Sequence, residues 1–310
     1  MNTNCTRRTA LKRLATGVAG AWLLPRVPLA DPGGLLRKPI PATGETLPAV
    51  GLGTWRTFNV GSDRRLMDAR TEVVRAFFGH GGGLVDSSPM YGSAPDLMGY
   101  ALEKLGAPGT LFSAEKVWSP AGGTAREQFA DLSGRWGVPR FDLVQVHNLV
   151  DWRAHLEALK AMKAEGKLRY IGITTSHGRR HREFERVMAD EAVDFVQLTY
   201  NLTHREAEDR LLPLARERGL AVIANRPYDG GRLVKGLKRR ARVPEWAERA
   251  CGCRTWPDVL LRFIVSHPAV TCAIPATTRV DHLDENMRAG VGPLPSPELR
   301  ARLVRHVESL

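Results

Sequence analysis

Gly83-Leu84-Val85-Asp86-Ser87-Ser88-Pro89-Met90-Tyr91-Gly92 opens on a short apolar run, ends that run on a carboxylate, and turns at once through Ser-Ser-Pro. Apolar residues bounded by turn formers read as a buried strand, Gly83 to Asp86, with Tyr91 in the loop that follows it. His80-Gly81-Gly82-Gly83 leads into this strand rather than out of it. No Gly-x-Gly-x-x-Gly stands after a strand and before a helix, so a Rossmann dinucleotide fold is disfavoured.

Outward from this run the same grammar repeats. Val50 to Gly53, Leu111 to Lys116, Leu143 to His147, Tyr170 to Thr174, Phe195 to Leu198, Ala221 to Ala224 and Thr271 to Ile274 are further strand candidates, eight in all. Amphipathic stretches alternate with them, among them Trp152 to Glu165 and Arg205 to Arg218, with Gly166 and Gly219 as stops. Asp258 to Ser266 and Leu283 to Arg288 read as the last two helices of the repeat. Ser296-Pro297-Glu298 supplies an N-cap, a first-turn proline and an acid for a terminal helix. Strands alternating with helices argue for parallel βα units, and eight of them imply an α/β fold, a closed (β/α)8 TIM barrel. Pro39 to Val50, turning at Thr43-Gly44-Glu45, is expected to form a β-hairpin across the barrel floor. Asp229 to Arg254 is basic and without clear periodicity, and is expected to be a long loop over the C-terminal face.

The chain has 310 residues and a formal net charge of +12. Its first thirty residues hold no acid and carry Arg7, Arg8, Lys12, Arg13 and Arg26, leaving +7 on the rest. Thr6-Arg7-Arg8-Thr9-Ala10-Leu11-Lys12 followed by the apolar stretch Leu14 to Leu24 resembles a twin-arginine export signal, too short to span a membrane. The expected organisation is a signal segment over residues 1–30 and one barrel domain over 31–310. The expected location is the bacterial periplasm, reached through the twin-arginine export machinery, or the cytoplasm if the signal is unused. The other basic residues are scattered over helix faces, and without a recognition motif a nucleic-acid partner is not expected. Cys5 lies in the leader, and Cys251, Cys253 and Cys272 cannot close a disulfide framework. Cys251-Gly252-Cys253 lacks a second ligand pair at zinc-like spacing, so no metal is expected.

Asp86, Lys116 and His147 end successive strand candidates, and a barrel brings such ends together with Tyr91. Singly, each has an ordinary explanation as a cap, a surface charge, a core histidine or a packed loop aromatic. Together they resemble the Asp, Tyr, Lys, His tetrad of the aldo-keto reductases. Ser113-Ala114-Glu115-Lys116-Val117-Trp118, Asp142-Leu143-Val144-Gln145-Val146-His147 and Phe195-Val196-Gln197-Leu198-Thr199-Tyr200-Asn201 extend the match. Ala273-Ile274-Pro275 through Glu285-Asn286 carries it to nearly the end of the chain.

The resemblance implies reversible reduction of an aldehyde or ketone by NADPH, with NADH a poorer donor. Tyr91 would be the proton donor, Lys116 would favour its phenolate, Asp86 would balance Lys116 and His147 would direct the carbonyl oxygen. Cofactor contacts are expected at Thr54, Trp55, Thr174, Thr175, Gln197, Arg226, Tyr228, Gly231, Leu233, Glu285 and Asn286. Thr277, Thr278 and Arg279 are expected around a 2′-phosphate. Trp55, Phe58, Trp118 and Asn148 are expected to line a cleft for apolar or flat carbonyl compounds. Four positions depart from the family pattern: Thr174-Thr175 replaces Ser-Asn, Asn225 replaces a stacking aromatic, and Ala276 replaces glycine or lysine. Two other readings stay open: a nucleotide-bound sensing or interaction module of the same fold, and a lyase or isomerase that uses Lys116 as a Schiff-base amine.

Overall fold

The computed structural model describes residues 34–119 and 123–310. The expected signal segment over residues 1–30 lies outside the described residues. A short antiparallel pair, β1 (Arg37–Pro39) and β2 (Thr46–Pro48), comes first, as the turn at Thr43-Gly44 requires. Eight parallel strands follow: β3 (Leu52–Gly53), β4 (Leu84–Asp86), β5 (Phe112–Val117), β6 (Phe141–Val146), β7 (Leu168–Thr174), β8 (Phe195–Thr199), β9 (Ala221–Asn225) and β10 (Cys272–Ala273). Each pairs with its chain neighbours, and a parallel bridge from Val50 to Ala273 closes the barrel. Closure needs a residue without a side chain at the seam. A Cβ on Gly53 would stand 2.8 Å from the Ile274 carbonyl oxygen, inside van der Waals contact.

Side chains alternate along a strand, so every second residue enters the barrel. The lower interior is apolar: Leu84, Phe112, Leu143, Tyr170, Phe195 and Ile223 pack with Ile40 and Leu47 of the hairpin end. Two residues further along four of those strands stand Asp86, Ala114 and then Lys116, Gln145 and Gln197, all nearly or fully buried. Strand periodicity thus sets a polar layer on an apolar floor, at the C-terminal mouth.

The surrounding helices are α1 (Arg64–Gly79), α2 (Ala94–Leu105), α3 (Ala125–Trp136), α4 (Trp152–Ala164), α5 (His181–Asp190) and α6 (Leu211–Arg218). They continue with α7 (Arg232–Arg240), α8 (Glu245–Cys251), α9 (Trp256–Val265), α10 (Val280–Arg288) and the terminal α11 (Pro297–Glu308). Ser296 caps α11 as expected, accepting from the Leu299 amide. Two expectations are corrected. Residues 205–218 are not one helix: a 3-10 turn over Glu206–Glu208 precedes α6, whose start at Leu211 places Pro213 in the first turn, where a missing N–H costs little. The segment from Asp229 to Arg254 is not a loop. Leu233 and Leu237, four residues apart, turn one face of α7 inward toward α9, while Lys235, Lys238, Arg239 and Arg240 take the outer face.

Candidate active site

Asp86 ends β4 fully inside the barrel and collects three donors. Lys116 Nζ lies 2.7 Å from its Oδ2, while Gln197 Nε2 and Gln145 Nε2 lie 2.8 and 3.3 Å from its Oδ1. Lys116, with no solvent exposure, also donates to the Ser87 carbonyl at 2.6 Å. The pairing is forced by burial, since an isolated charge at this depth would be strongly unfavourable. Behind β5, Glu115 accepts from Trp136 Nε1 at 3.0 Å and from the Lys116 amide at 2.9 Å. Burial pushes the Glu115 carboxyl up to about 7, against the opposing pull of Lys116.

Tyr91 is held above this layer by a 3-10 turn, Pro89–Tyr91, that Ser88 caps through the Met90 amide. Lys116 Nζ lies 5.4 Å from the centre of the Tyr91 ring, and the His147 ring meets it edge-on at 5.9 Å. Asp86, Tyr91, Lys116 and His147 therefore converge at one mouth. Among the described residues the Tyr91 hydroxyl has no hydrogen-bond partner. Its proton affinity departs from expectation: burial first, then the charges of Asp86 and Glu115, raise it well above that of a free phenol. Lys116, expected to favour the phenolate, is ion-paired to Asp86 at 2.7 Å, and the charges that act on the resting phenol are those of Asp86 and Glu115.

His147 is 6% exposed, and burial together with the Lys116 charge lowers its pKa to about 3. The ring is neutral at physiological pH. Its Nδ1 lies 2.8 Å from Ser88 Oγ, so a Ser88 hydroxyl donating there leaves the Nε2 N–H as the donor available to the cavity.

The mouth is a cavity of about 420 Å³ that includes Trp55, Met90, Tyr91, His147, Asn148 and Gln197 in its wall. Thr54, Thr174, Arg226, Tyr228 and Gly231 also face it. Gln197 gives its Nε2 to Asp86, which leaves its carbonyl oxygen toward the cavity. Asn225 spends both amide atoms on neighbours, accepting from Thr199 Oγ1 at 2.7 Å and donating to the Thr175 carbonyl at 2.9 Å. Thr175 itself is buried, its hydroxyl bonded to the Arg179 carbonyl. Arg226 lies 5.3 Å from the Trp55 ring centre and is ion-paired to Asp229 at 2.7 Å.

Several expected contacts stand elsewhere. Phe58 is fully buried in the hydrophobic core, so it packs the loop after β3 and does not line the cleft; a residue beside a strand end can turn either way, and this one turns inward. Trp118 does not face the cavity directly, although its ring lies 6.4 Å from that of His147. Leu233 packs on the core. Thr277, Thr278 and Arg279 stand at the start of α10, just past Ala276 on the cavity rim, and Glu285 and Asn286 lie in its second half. There Thr277 Oγ1 accepts from the Arg279 amide at 3.2 Å, Arg279 is ion-paired to Asp281, and Asn286 accepts from the Tyr228 hydroxyl. Sequence reasoning missed the wall formed by Ser176, His177 and Arg179 after β7, as well as the supports Ser88 and Gln145. The two supports were legible in principle, since each is polar at an inward or strand-end position beside a tetrad member.

The likeness to known proteins agrees with this geometry. The methylglyoxal reductase YeaE of Escherichia coli is 29% identical over 269 residues, 85% of this chain and 93% of its own. The NADH-specific methylglyoxal reductase of the same organism is 27% identical over 243 residues, 66% of this chain and 71% of its own. The crystal structure of an aldo/keto reductase from Klebsiella pneumoniae in complex with NADP and acetate superposes with a TM-score of 0.72 at 26% identity, covering 85% of this chain and 92% of that one. Residues 49–302, which hold the whole barrel and every residue of the mouth, match the profile described as the Aldo/keto reductase family, and the chain belongs to that family.

Proposed function

We propose that the protein reduces aldehydes or ketones to alcohols, reversibly, with NADPH as the hydride source and Tyr91 as general acid. The observation that carries the reading is the unpartnered Tyr91 hydroxyl at a cavity beside a neutral His147 and above the buried Lys116–Asp86 pair.

The residues present fit a nicotinamide nucleotide. The free Gln197 carbonyl oxygen suits a carboxamide N–H, and Gly231, with φ of 85° and nothing within 4 Å of an added Cβ, leaves room for a close backbone approach. Arg279 at the start of α10 suits a 2′-phosphate, which favours NADPH over NADH. The solved relative from Klebsiella pneumoniae holds NADP, whereas one Escherichia coli relative is named NADH-specific. When bound, the cofactor supplies a hydride to the carbonyl carbon.

The chain supplies the rest. His147 Nε2 donates a hydrogen bond to the carbonyl oxygen and fixes its approach. As negative charge builds on that oxygen, the phenol passes its proton across. A phenol with raised proton affinity holds its proton at rest, and a developing alkoxide is a strong enough base to take it. Lys116, near the ring, then steadies the phenolate until solvent reprotonates it. Trp55 and Met90 give the wall an apolar surface for a small carbonyl compound, consistent with the methylglyoxal reductase name of a relative.

The test is single-turnover oxidation of bound NADPH by methylglyoxal or an aromatic aldehyde. Tyr91→Phe is expected to slow it by ~10²–10⁴-fold with NADPH binding retained; equal rates would remove Tyr91 from the mechanism. We further propose that residues 1–30 direct export to the periplasm through the twin-arginine machinery. A reporter fused to them should leave the cytoplasm, and Arg7→Lys with Arg8→Lys should retain it there.

A further inference from the structure

Gln145 is absent from the chemistry above, yet it occupies the polar layer itself. It has no solvent exposure and is the β6 residue directly opposite Lys116 of β5 and Gly172 of β7. A Cβ on Gly172 would stand 3.1 Å from Gln145 Cγ and 2.7 Å from the Phe195 carbonyl oxygen, so a residue without a side chain makes the room in which Gln145 lies. Its Nε2 reaches Asp86 Oδ1 at 3.3 Å, sharing that oxygen with Gln197. Its Oε1 is buried without a hydrogen-bond partner. A buried carbonyl oxygen left unpaired costs ~1–3 kcal/mol in general, and exceptions of this kind ask for a reason.

Lys116 presents the complementary vacancy. An ammonium has three N–H groups, and Lys116 places two, on Asp86 Oδ2 and the Ser87 carbonyl. An acceptor without a donor and a donor without an acceptor thus sit on register-paired residues. The titratable groups in this part of the barrel are Asp86 on β4, Lys116 and, behind it, Glu115 on β5, and the Cys272 thiol on β10, which burial and Asp86 keep neutral. Tyr91 and His147 lie above.

We propose that Gln145 is a positioning residue for the reduction described above: its amide N–H restrains the Asp86 carboxylate and its carbonyl oxygen takes the third Lys116 N–H when the ammonium swings toward Tyr91. The inference rests on the reductase reading. In the resting state Lys116 belongs to Asp86. As the phenol loses its proton, the new negative charge draws Lys116 upward, and Gln145 offers a neutral acceptor on the way. An amide suits this place because it bonds both partners without adding a charge of its own.

Gln145→Glu tests this with nearly the same atoms. Neutral, the carboxyl can give Asp86 the same hydrogen bond; ionised, it repels Asp86 and ties down Lys116. Turnover of aldehyde is expected near the wild-type level at low pH. It should fall about ten- to a hundredfold as the new group ionises, somewhere above the ordinary carboxylate value of ~4.3. Gln145→Leu should lose a similar factor in kcat at every pH, with the KM for aldehyde and the fluorescence-measured affinity for NADPH within about twofold of wild type. Wild-type pH profiles in Gln145→Glu, or wild-type kcat in Gln145→Leu, would overturn the proposal while leaving the reductase reading intact. A wild-type protein that binds NADPH but reduces no aldehyde would remove the reading on which the proposal stands.

Discussion

Lys116 Nζ lies 2.7 Å from Asp86 Oδ2, with the two side chains 0% and 3% exposed. Neither charge has water to turn to, so each serves as the other's counter-charge. Removing one partner of such a pair typically costs ~3–5 kcal/mol, because the other is left charged and buried. Lys116→Met should therefore lower stability by about that amount in urea unfolding and also slow aldehyde reduction at least about a hundredfold. Lys116→Met combined with Asp86→Asn should recover much of the stability and none of the activity. Recovery of both in the double variant would mean that the pair serves the fold alone.

His147 makes a prediction about pH. Burial and the Lys116 charge lower its pKa to about 3, so it is neutral over the whole range in which the enzyme is expected to work. His147→Gln keeps a neutral donor of different reach and should slow reduction about tenfold or more. The shape of the rate profile between roughly pH 5 and 8 should not change, because no ionisation is lost. Ser88→Ala, which frees Nδ1 and hence the tautomer, should cost less than about tenfold. Loss of a limb near neutrality in His147→Gln would show that the ring carries a proton in the working enzyme.

Much of the barrel was legible because its strands are buried on both faces and several of them stop at a polar residue. A run such as Leu84-Val85-Asp86 states both its burial and its end. Four residues, Asp86, Tyr91, Lys116 and His147, were placed together for the same reason: strand ends of a barrel share one rim. Phe58 was misread because hydrophobicity near a strand end does not say whether a ring turns to the cleft or to the core. The helix α7 went unseen because basic residues dominate its outer face, and α8 because its seven residues are too few to show a period. Gln145 was read only as part of the Asp142–His147 run that ends on His147. The alternation through Leu143, Gln145 and His147 puts all three on one inner face, and would have found it.

Arg279 and Asp281 bear on cofactor choice. Both are exposed at the start of α10, where the guanidinium is ion-paired to Asp281 and the Arg279 amide donates to Thr277 Oγ1. A 2′-phosphate would compete with Asp281 for the same guanidinium, with the helix N-terminus adding to the attraction. Arg279→Gln should weaken NADPH binding about tenfold or more in fluorescence titration and leave NADH unchanged. Asp281→Asn should tighten NADPH. Parallel losses for the two nucleotides in Arg279→Gln would take the residue out of the selectivity.

Glu115 ties stability to pH in a direction unusual for a carboxylate. Its folded pKa is about 7, raised from 4.5 by burial, so below pH 4.5 the group is neutral in both the folded and the unfolded chain. Between those values the folded protein holds a proton that the unfolded chain has released, and stability falls as the pH rises. Above about 7 the carboxylate is charged in both states and the full penalty stands, at most on the order of 3 kcal/mol for such a shift. Glu115→Gln removes the ionisation while still offering an oxygen to the Trp136 indole or to the Lys116 amide. Relative to wild type, its melting temperature should therefore rise between pH 5 and pH 8, whatever the offset at pH 5 from the lost second acceptor. A difference in melting temperature that stays constant across that range would mean Glu115 is ionised in the folded protein throughout. Its charge would then be compensated by Lys116 more fully than the shared burial implies.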